Sequence, residues 1–168
     1  MDDSDLSPGC STLTQWAAGL AYLKARSAWD ALSPEERASS VVLGADTIVI
    51  KDGEAMGKPA DRADAERMIR RLSGGSHEVT SGVCVLSPGE ARLVFSDTAL
   101  VRVGELTEDQ IGVYLASGDW RGKAGAYNLS ERLEAGWPIE YDGDPGTIMG
   151  LPMRRLAPAL RRRLEGDR

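Results

Sequence analysis

The stretch Val41-Val42-Leu43-Gly44-Ala45-Asp46-Thr47-Ile48-Val49-Ile50 decides how this chain folds and where its chemistry lies. Apolar, largely β-branched residues on both sides read as a buried β-strand. An aspartate in the middle of that run is costly, because a buried and unpaired carboxylate gives up its hydration for nothing. Such a residue normally meets a cation, a metal or a dense set of hydrogen bonds. Asp46 is therefore the first candidate for chemistry. The alternative is that Asp46 ends the strand and accepts turn hydrogen bonds.

Outward from this strand the chain reads as helices interspersed with strands. Trp16, Leu20, Leu23 and Ser27 recur at helical spacing and predict a helix from about Leu13 to Leu32, with Lys24 one turn beyond Leu20. Ser33-Pro34-Glu35-Glu36 carries a cap serine, a first-turn proline and a third-position glutamate, so a short helix opens there. Lys51-Asp52-Gly53-Glu54 reads as a tight turn. Asp61 caps a helix whose inner stripe is Ala65, Met68, Ile69 and Leu72, ended by Gly74-Gly75.

Residues His77 to Leu86 and Leu93 to Val103 flank the turn Ser87-Pro88-Gly89-Glu90 and predict an antiparallel hairpin with Val79, Val83 and Val85 toward the core. Thr107-Glu108-Asp109-Gln110 resembles a capping box, opening a helix through Ile111, Tyr114 and Leu115 that closes at Gly118. Lys123 then falls in the following loop. A strand from Trp137 to Tyr141, a turn over Asp142-Gly143-Asp144-Pro145-Gly146 and a helix from Pro152 complete the expectation. The fold class is α/β, a mixed sheet with flanking helices.

Two lysines stand in glycine-containing segments, Gly57-Lys58-Pro59 and Gly122-Lys123-Ala124-Gly125-Ala126-Tyr127. Glycine lets backbone approach a ligand and turn its N–H groups toward an anion. With Asp46 they suggest a phosphate and metal site. Neither segment is a Walker A loop, since no Gly-x-x-x-x-Gly-Lys-Ser/Thr run is present. Each lysine taken alone reads rather as a solvated loop cation.

These segments, with Leu20-Ala21-x-x-Lys24-Ala25, Leu72-Ser73-Gly74, His77-x-Val79-x-Ser81-Gly82-Val83, Tyr114 with Ser117-Gly118, and Gly150-Leu151-Pro152, run in an order that resembles the Maf family of nucleoside triphosphate pyrophosphatases across nearly the whole chain. The resemblance implies hydrolysis between the α- and β-phosphates of a nucleotide, a divalent cation (Mg²⁺ or Mn²⁺), and an elongated sheet with a Maf/ITPase-like two-lobed cleft where Asp46, Lys58 and Lys123 meet. It also suggests a homodimer. Lys24, Lys58 and Lys123 would balance triphosphate charge, and Asp46 would activate the water or hold the metal.

The chain also departs from that pattern. The family's opening Ser-x-Ser-Pro-Arg-Arg loop has no counterpart, and Ser7-Pro8-Gly9-Cys10 is not that loop. The sequence reads as N-terminally short, truncated or misassigned at its start, with the first strand missing and Asp2 or Asp3 matching the family's early acidic residue. Ser130 stands where the family commonly has glutamine, which leaves base choice open.

Composition fits one compact domain over residues 1–168, long enough for a single sizeable core. A net charge of −6 argues against a nonspecific nucleic-acid binder. The basic group Arg154, Arg155 and Arg161 to Arg163 reads as a solvated helix face rather than a nucleic-acid patch, with a surface for a partner as a further reading. No apolar stretch reaches the ~20 residues that span a bilayer, and no leader pattern opens the chain, so a cytoplasmic location is expected. Cys10 and Cys84 lack metal or disulfide spacing. The single histidine, His77, excludes any multi-histidine metal cluster and reads as a hydrogen-bonded structural residue. The competing functional reading is a nucleotide-binding protein without turnover.

Overall fold

The computed structural model describes Gly9, residues 11–89 and residues 91–165, with side chains as far as Arg162 in the last helix. Asp2, Asp3 and Cys10 lie outside the described residues. The chain begins with helix α1 (Leu13–Asp30), capped by a reciprocal pair of hydrogen bonds between Thr12 and Gln15. A short α2 (Pro34–Arg37) follows, with Ser33 and Glu36 making the same box.

Strand β1 (Val42–Lys51) carries the Asp46 stretch, and the expected turn at Asp52-Gly53 returns it to β2 (Glu54–Met56). Asp61 caps α3 (Arg62–Leu72), whose Ala65, Met68, Ile69 and Leu72 are buried as the stripe requires. The long hairpin β3 (Gly75–Ser87) and β4 (Ala91–Val103) comes next, then α4 (Glu108–Ser117), closed by Gly118 in the left-handed region. After a 3₁₀ turn at Ala124–Ala126 come α5 (Leu129–Glu134), β5 (Ile139–Asp142), α6 (Pro145–Ile148) and α7 (Met153–Glu165).

The strands lie in the order β2-β1-β3-β4-β5, and every described ladder is antiparallel. Two expectations change. The last strand starts at Ile139 rather than Trp137, because Trp137 packs into the main core instead of joining the ladder. The anticipated turn at 142–146 is the entry to α6: Asp144 accepts from Gly146 N–H and Pro145 occupies the first helical position.

Side chains alternate across the sheet. Val49, Val79, Val101 and Val103 face a large cluster with Met68, Ile69, Tyr114 and Trp137. Val83 and Val85 share that face but pack under α7 through Leu156. The opposite face receives α1, whose contact residues are small: Ala17, Ala21 and Ala25 are fully buried. A Cβ at Gly44 would stand 2.3 Å from the Ala21 carbonyl oxygen, and one at Gly82 would stand 2.2 Å from the Ala17 carbonyl group. Glycine at both positions therefore lets the helix backbone lie directly on the sheet. Since Gly82 is the register partner of Asp46, that close approach brings Lys24 of α1 onto the Asp46 carboxylate.

Candidate active site

Asp46 does not end its strand. It sits within β1, paired across the ladder with Gly82, and its side chain is 12% exposed. Lys24 donates to Asp46 Oδ1 from α1, so the buried charge predicted to need a partner has a cation. Pairing between β1 and β2 covers only Val49 to Lys51, and a hollow of about 400 Å³ opens at the edge of β1 beyond it. Lys24, Asp46 and Lys58 line this hollow together with apolar Trp16, Leu20 and Met56. Two cations and one carboxylate thus share one concave surface.

Lys123 is placed differently from the expectation. It lines an adjoining hollow of about 150 Å³ and is ion-paired with Glu131 of α5. Thr47 and Ala124 line both hollows, so they meet there. The two lysine segments are tied to each other, because Gly125 N–H donates to the Gly57 carbonyl at 3.0 Å. The Tyr114 hydroxyl holds the 3₁₀ turn by donating to the Ala126 carbonyl at 2.7 Å. Arg132 covers the ring of Tyr114 at 4.2 Å.

Several polar contacts were not anticipated from the sequence. Thr47 Oγ1 lies 2.8 Å from Ser81 Oγ, its direct ladder partner. Ser81 donates to the Thr147 carbonyl at 2.7 Å, and the Thr147 hydroxyl donates to Asp97 at 2.5 Å. The available signal was Thr80-Ser81 inside a run otherwise suited to a buried strand. Asn128 caps α5 by accepting from Glu131 N–H, and Ser130 also donates to its Oδ1.

His77 is buried and 2.8 Å from the Tyr127 hydroxyl, a structural placement as read from sequence. Burial and, secondarily, the Lys51 charge push its pKa down to about 4, so it is neutral at neutral pH. Burial raises the Tyr127 phenol well above its ordinary value, which keeps that hydroxyl protonated. Arg155 of the basic C-terminal group lies 4.6 Å from the Phe95 ring and donates to the Ser96 carbonyl, which tethers it to β4.

A further hollow lies elsewhere. At about 450 Å³ it is lined by Tyr22, Trp29, Arg37 and the end of the β3–β4 hairpin. Its Arg37 is engaged with the Trp29 and Asp30 carbonyls at the end of α1. Size alone does not make it the reactive site, since Asp46 and the three lysines singled out above lie in the other two hollows.

The donor set bears on a metal. Among the described residues no group of three His, Cys, Asp or Glu side chains is arranged to hold an ion. One carboxylate at a phosphate-sized hollow is nevertheless a usual protein share of a Mg²⁺ site, the remaining ligands being water and substrate phosphates. The residues fit a cation carried jointly with phosphate. No helix among the described residues is long and apolar enough to cross a membrane.

The chain is similar to known proteins. A 42% identical relative from Koribacter versatilis (strain Ellin345), named dTTP/UTP pyrophosphatase, aligns over 148 residues, 88% of this chain and 73% of its own length. A relative of the same name from Symbiobacterium thermophilum (strain DSM 24528 / JCM 14929 / IAM 14863 / T) is 45% identical over 72% of this chain, which spans 61% of that relative. Another, from Thermococcus gammatolerans (strain DSM 15229 / JCM 11827 / EJ3), is 38% identical over 89% of the chain and 77% of its own. The family model described as Maf-like protein matches residues 3–163, and the chain that gathers Lys24, Asp46 and Lys58 at one strand edge belongs to the Maf family.

Proposed function

We propose that this chain hydrolyses a nucleoside triphosphate, with dTTP or UTP favoured, to the nucleoside monophosphate and pyrophosphate. The observation that carries the reading is the hollow at the edge of β1, which Asp46, paired with Lys24, lines together with Lys58. The printed names of the relatives supply the nucleotide class.

Water attacks the α-phosphorus, the bond from that phosphorus to the bridging oxygen breaks, and pyrophosphate leaves. Asp46 accepts the proton of the attacking water or supplies an oxygen to a divalent cation; both roles need an anionic oxygen beside the α-phosphate. Asp46 would hold a Mg²⁺ or Mn²⁺ ion together with phosphate oxygens, and such an ion would supply neutralisation of phosphate charge. Lys24 compensates Asp46 and lies beside the phosphates. Lys58, on its glycine-containing segment, and Lys123, once drawn from Glu131, add charge as rotatable donors. The apolar wall of Trp16, Leu20 and Met56 limits water and strengthens these charge contacts.

The test is pyrophosphate release from dTTP, UTP and CTP with Mg²⁺. Release that falls away in Asp46→Asn supports the reading. Tight nucleotide binding with no release from any of the three would replace it with the reading of a nucleotide-binding protein without turnover.

A further inference from the structure

We infer that a second ligand site lies at the end of the β3–β4 hairpin, where Tyr22, Trp29, Arg26, Arg37 and Arg92 surround a hollow that takes a small aromatic phosphate of the nucleoside monophosphate class. The inference goes beyond the hydrolytic reading. No residue lining this hollow lines either of the two that hold Asp46 and the three lysines.

Helix α1 builds one wall. Tyr22, Arg26 and Trp29 stand at i, i+4 and i+7 along it and so share one face. Tyr22 and Arg26 lie two positions on either side of Lys24, about 200° of helix rotation from it, so this face is turned away from the Lys24–Asp46 pair. Earlier in the helix, Ala17 and Ala21 seat the backbone directly on Gly82 and Gly44. At the C-terminal end the larger Tyr22 and Trp29 pack against Leu86 of β3 instead, which holds the helix end off the hairpin and leaves space. Arg92 enters from β4 as the register partner of Leu86. Leu86 is buried whereas Arg26 and Arg92 are exposed, so the floor is apolar and the mouth is basic.

Three guanidinium groups gather here in a chain whose net charge is −6. Among the described residues only Arg26 of the three is ion-paired, with Asp30 at 2.9 Å, and that pair is exposed enough to yield to a stronger anion. Arg37 is held by main chain instead: its Nε donates to the Trp29 carbonyl at 3.0 Å and its Nη2 to the Asp30 carbonyl at 2.7 Å. Two carbonyl dipoles fix the guanidinium plane without cancelling its charge, and Nη1 remains to donate. A guanidinium fixed in this way meets phosphate oxygens with little further ordering. The indole of Trp29 and the phenol of Tyr22 supply apolar surface for a planar base. A hollow of about 450 Å³ falls in the range of small-ligand sites, which favours a mononucleotide over a strand.

The experiment titrates UMP, ribose 5-phosphate and inorganic phosphate by calorimetry into the parent chain, Arg92→Glu, Arg92→Lys and Lys58→Glu. Arg92 is exposed, so its replacement leaves the core intact. The parent chain is expected to show a component of UMP binding that survives Lys58→Glu, weakens by on the order of tenfold or more in Arg92→Glu, and is largely kept in Arg92→Lys. Ribose 5-phosphate, which lacks the base, should bind there more weakly than UMP by roughly fivefold or more, and inorganic phosphate more weakly still. UMP binding that vanishes in Lys58→Glu and is unchanged in Arg92→Glu belongs to the Asp46 hollow and overturns the inference, as does no UMP binding to the folded parent chain. Equal affinity for UMP and ribose 5-phosphate overturns the part given to the rings. Thymidine oligonucleotides that bind more tightly than UMP, with affinity rising with length, would replace the mononucleotide by a nucleic-acid strand. Pyrophosphate release from UTP, followed separately on the parent chain, tests the hydrolytic reading alone: its absence removes that reading and leaves this site standing.

Discussion

Lys24 Nζ donates to Asp46 Oδ1 across 22 residues of sequence, joining the helix on one face of the sheet to strand β1. The carboxylate is 12% exposed and the ammonium 31%, so the pair is partly desolvated yet open to a ligand. Asp46→Asn keeps the shape and removes the anion. Pyrophosphate release should fall by about 10²- to 10⁴-fold, the range for a positioned general base. Lys24→Gln should also lower the rate, since it leaves Asp46 without its α1 cation. Steady-state kinetics on both variants checks this, and full activity in Asp46→Asn would remove the assignment.

The contact between Lys123 and Glu131 separates two possible uses of that lysine. If Lys123 turns to phosphate when nucleotide arrives, Glu131 competes with the ligand. Glu131→Gln should then tighten triphosphate binding a few-fold, with a steeper loss of affinity in added salt. Calorimetry in low and moderate salt measures both effects. An unchanged affinity would confine Lys123 to holding α5.

His77 gives the protein an acid-sensitive core. Its folded pKa lies at about 4 against an ordinary 6.5, so between those values the unfolded chain binds more protons. Stability is therefore full above about pH 6.5 and falls as the pH drops toward 4, by roughly 3 kcal/mol if the whole shift is realised. His77→Gln should flatten this part of the profile in urea denaturation. Because His77 is the only histidine, its imidazole signals can be followed by NMR without assignment. A titration midpoint near 6.5 would contradict the burial argument.

The seat of α1 can be tested without touching the cleft. Gly82→Ala drives a methyl group into the Ala17 carbonyl, and relief requires α1 to lift from the sheet. Overpacking of this kind costs about 1–3 kcal/mol. Because Lys24 rides on the same helix, nucleotide turnover should fall alongside the urea midpoint. Stability lost with turnover intact would show that the Lys24–Asp46 pair survives the shift.

Much of this was legible from local pattern. The capping boxes at Ser33 and Thr107, the Asp61 cap and the stripe Ala65, Met68, Ile69, Leu72 each depend on neighbours within a turn or two, and the chain shows them where the pattern puts them. Asp46 stood out because a charge in a buried run demands compensation. Its partner could be singled out by resemblance, but the pairing depends on Gly44 and Gly82 together, a relation between β1, β3 and α1 that no single stretch displays. The Thr47–Ser81 contact follows from ladder register, and register is not written locally. Lys123 was expected to meet Asp46 and Lys58 in one cleft; it lines the adjoining hollow, where the cap at Asn128 opens α5 and Glu131 pairs with it. Six residues of helix behind an asparagine gave too short a period to recognise.

The most direct measurement of the central claim is pyrophosphate release from dTTP and UTP with Mg²⁺, taken on this chain and on Asp46→Asn in parallel, with circular dichroism confirming that both are folded. The account predicts release by the parent chain and a loss of about two orders of magnitude or more in the variant. Equal release from both, or none from a folded parent chain, would contradict it.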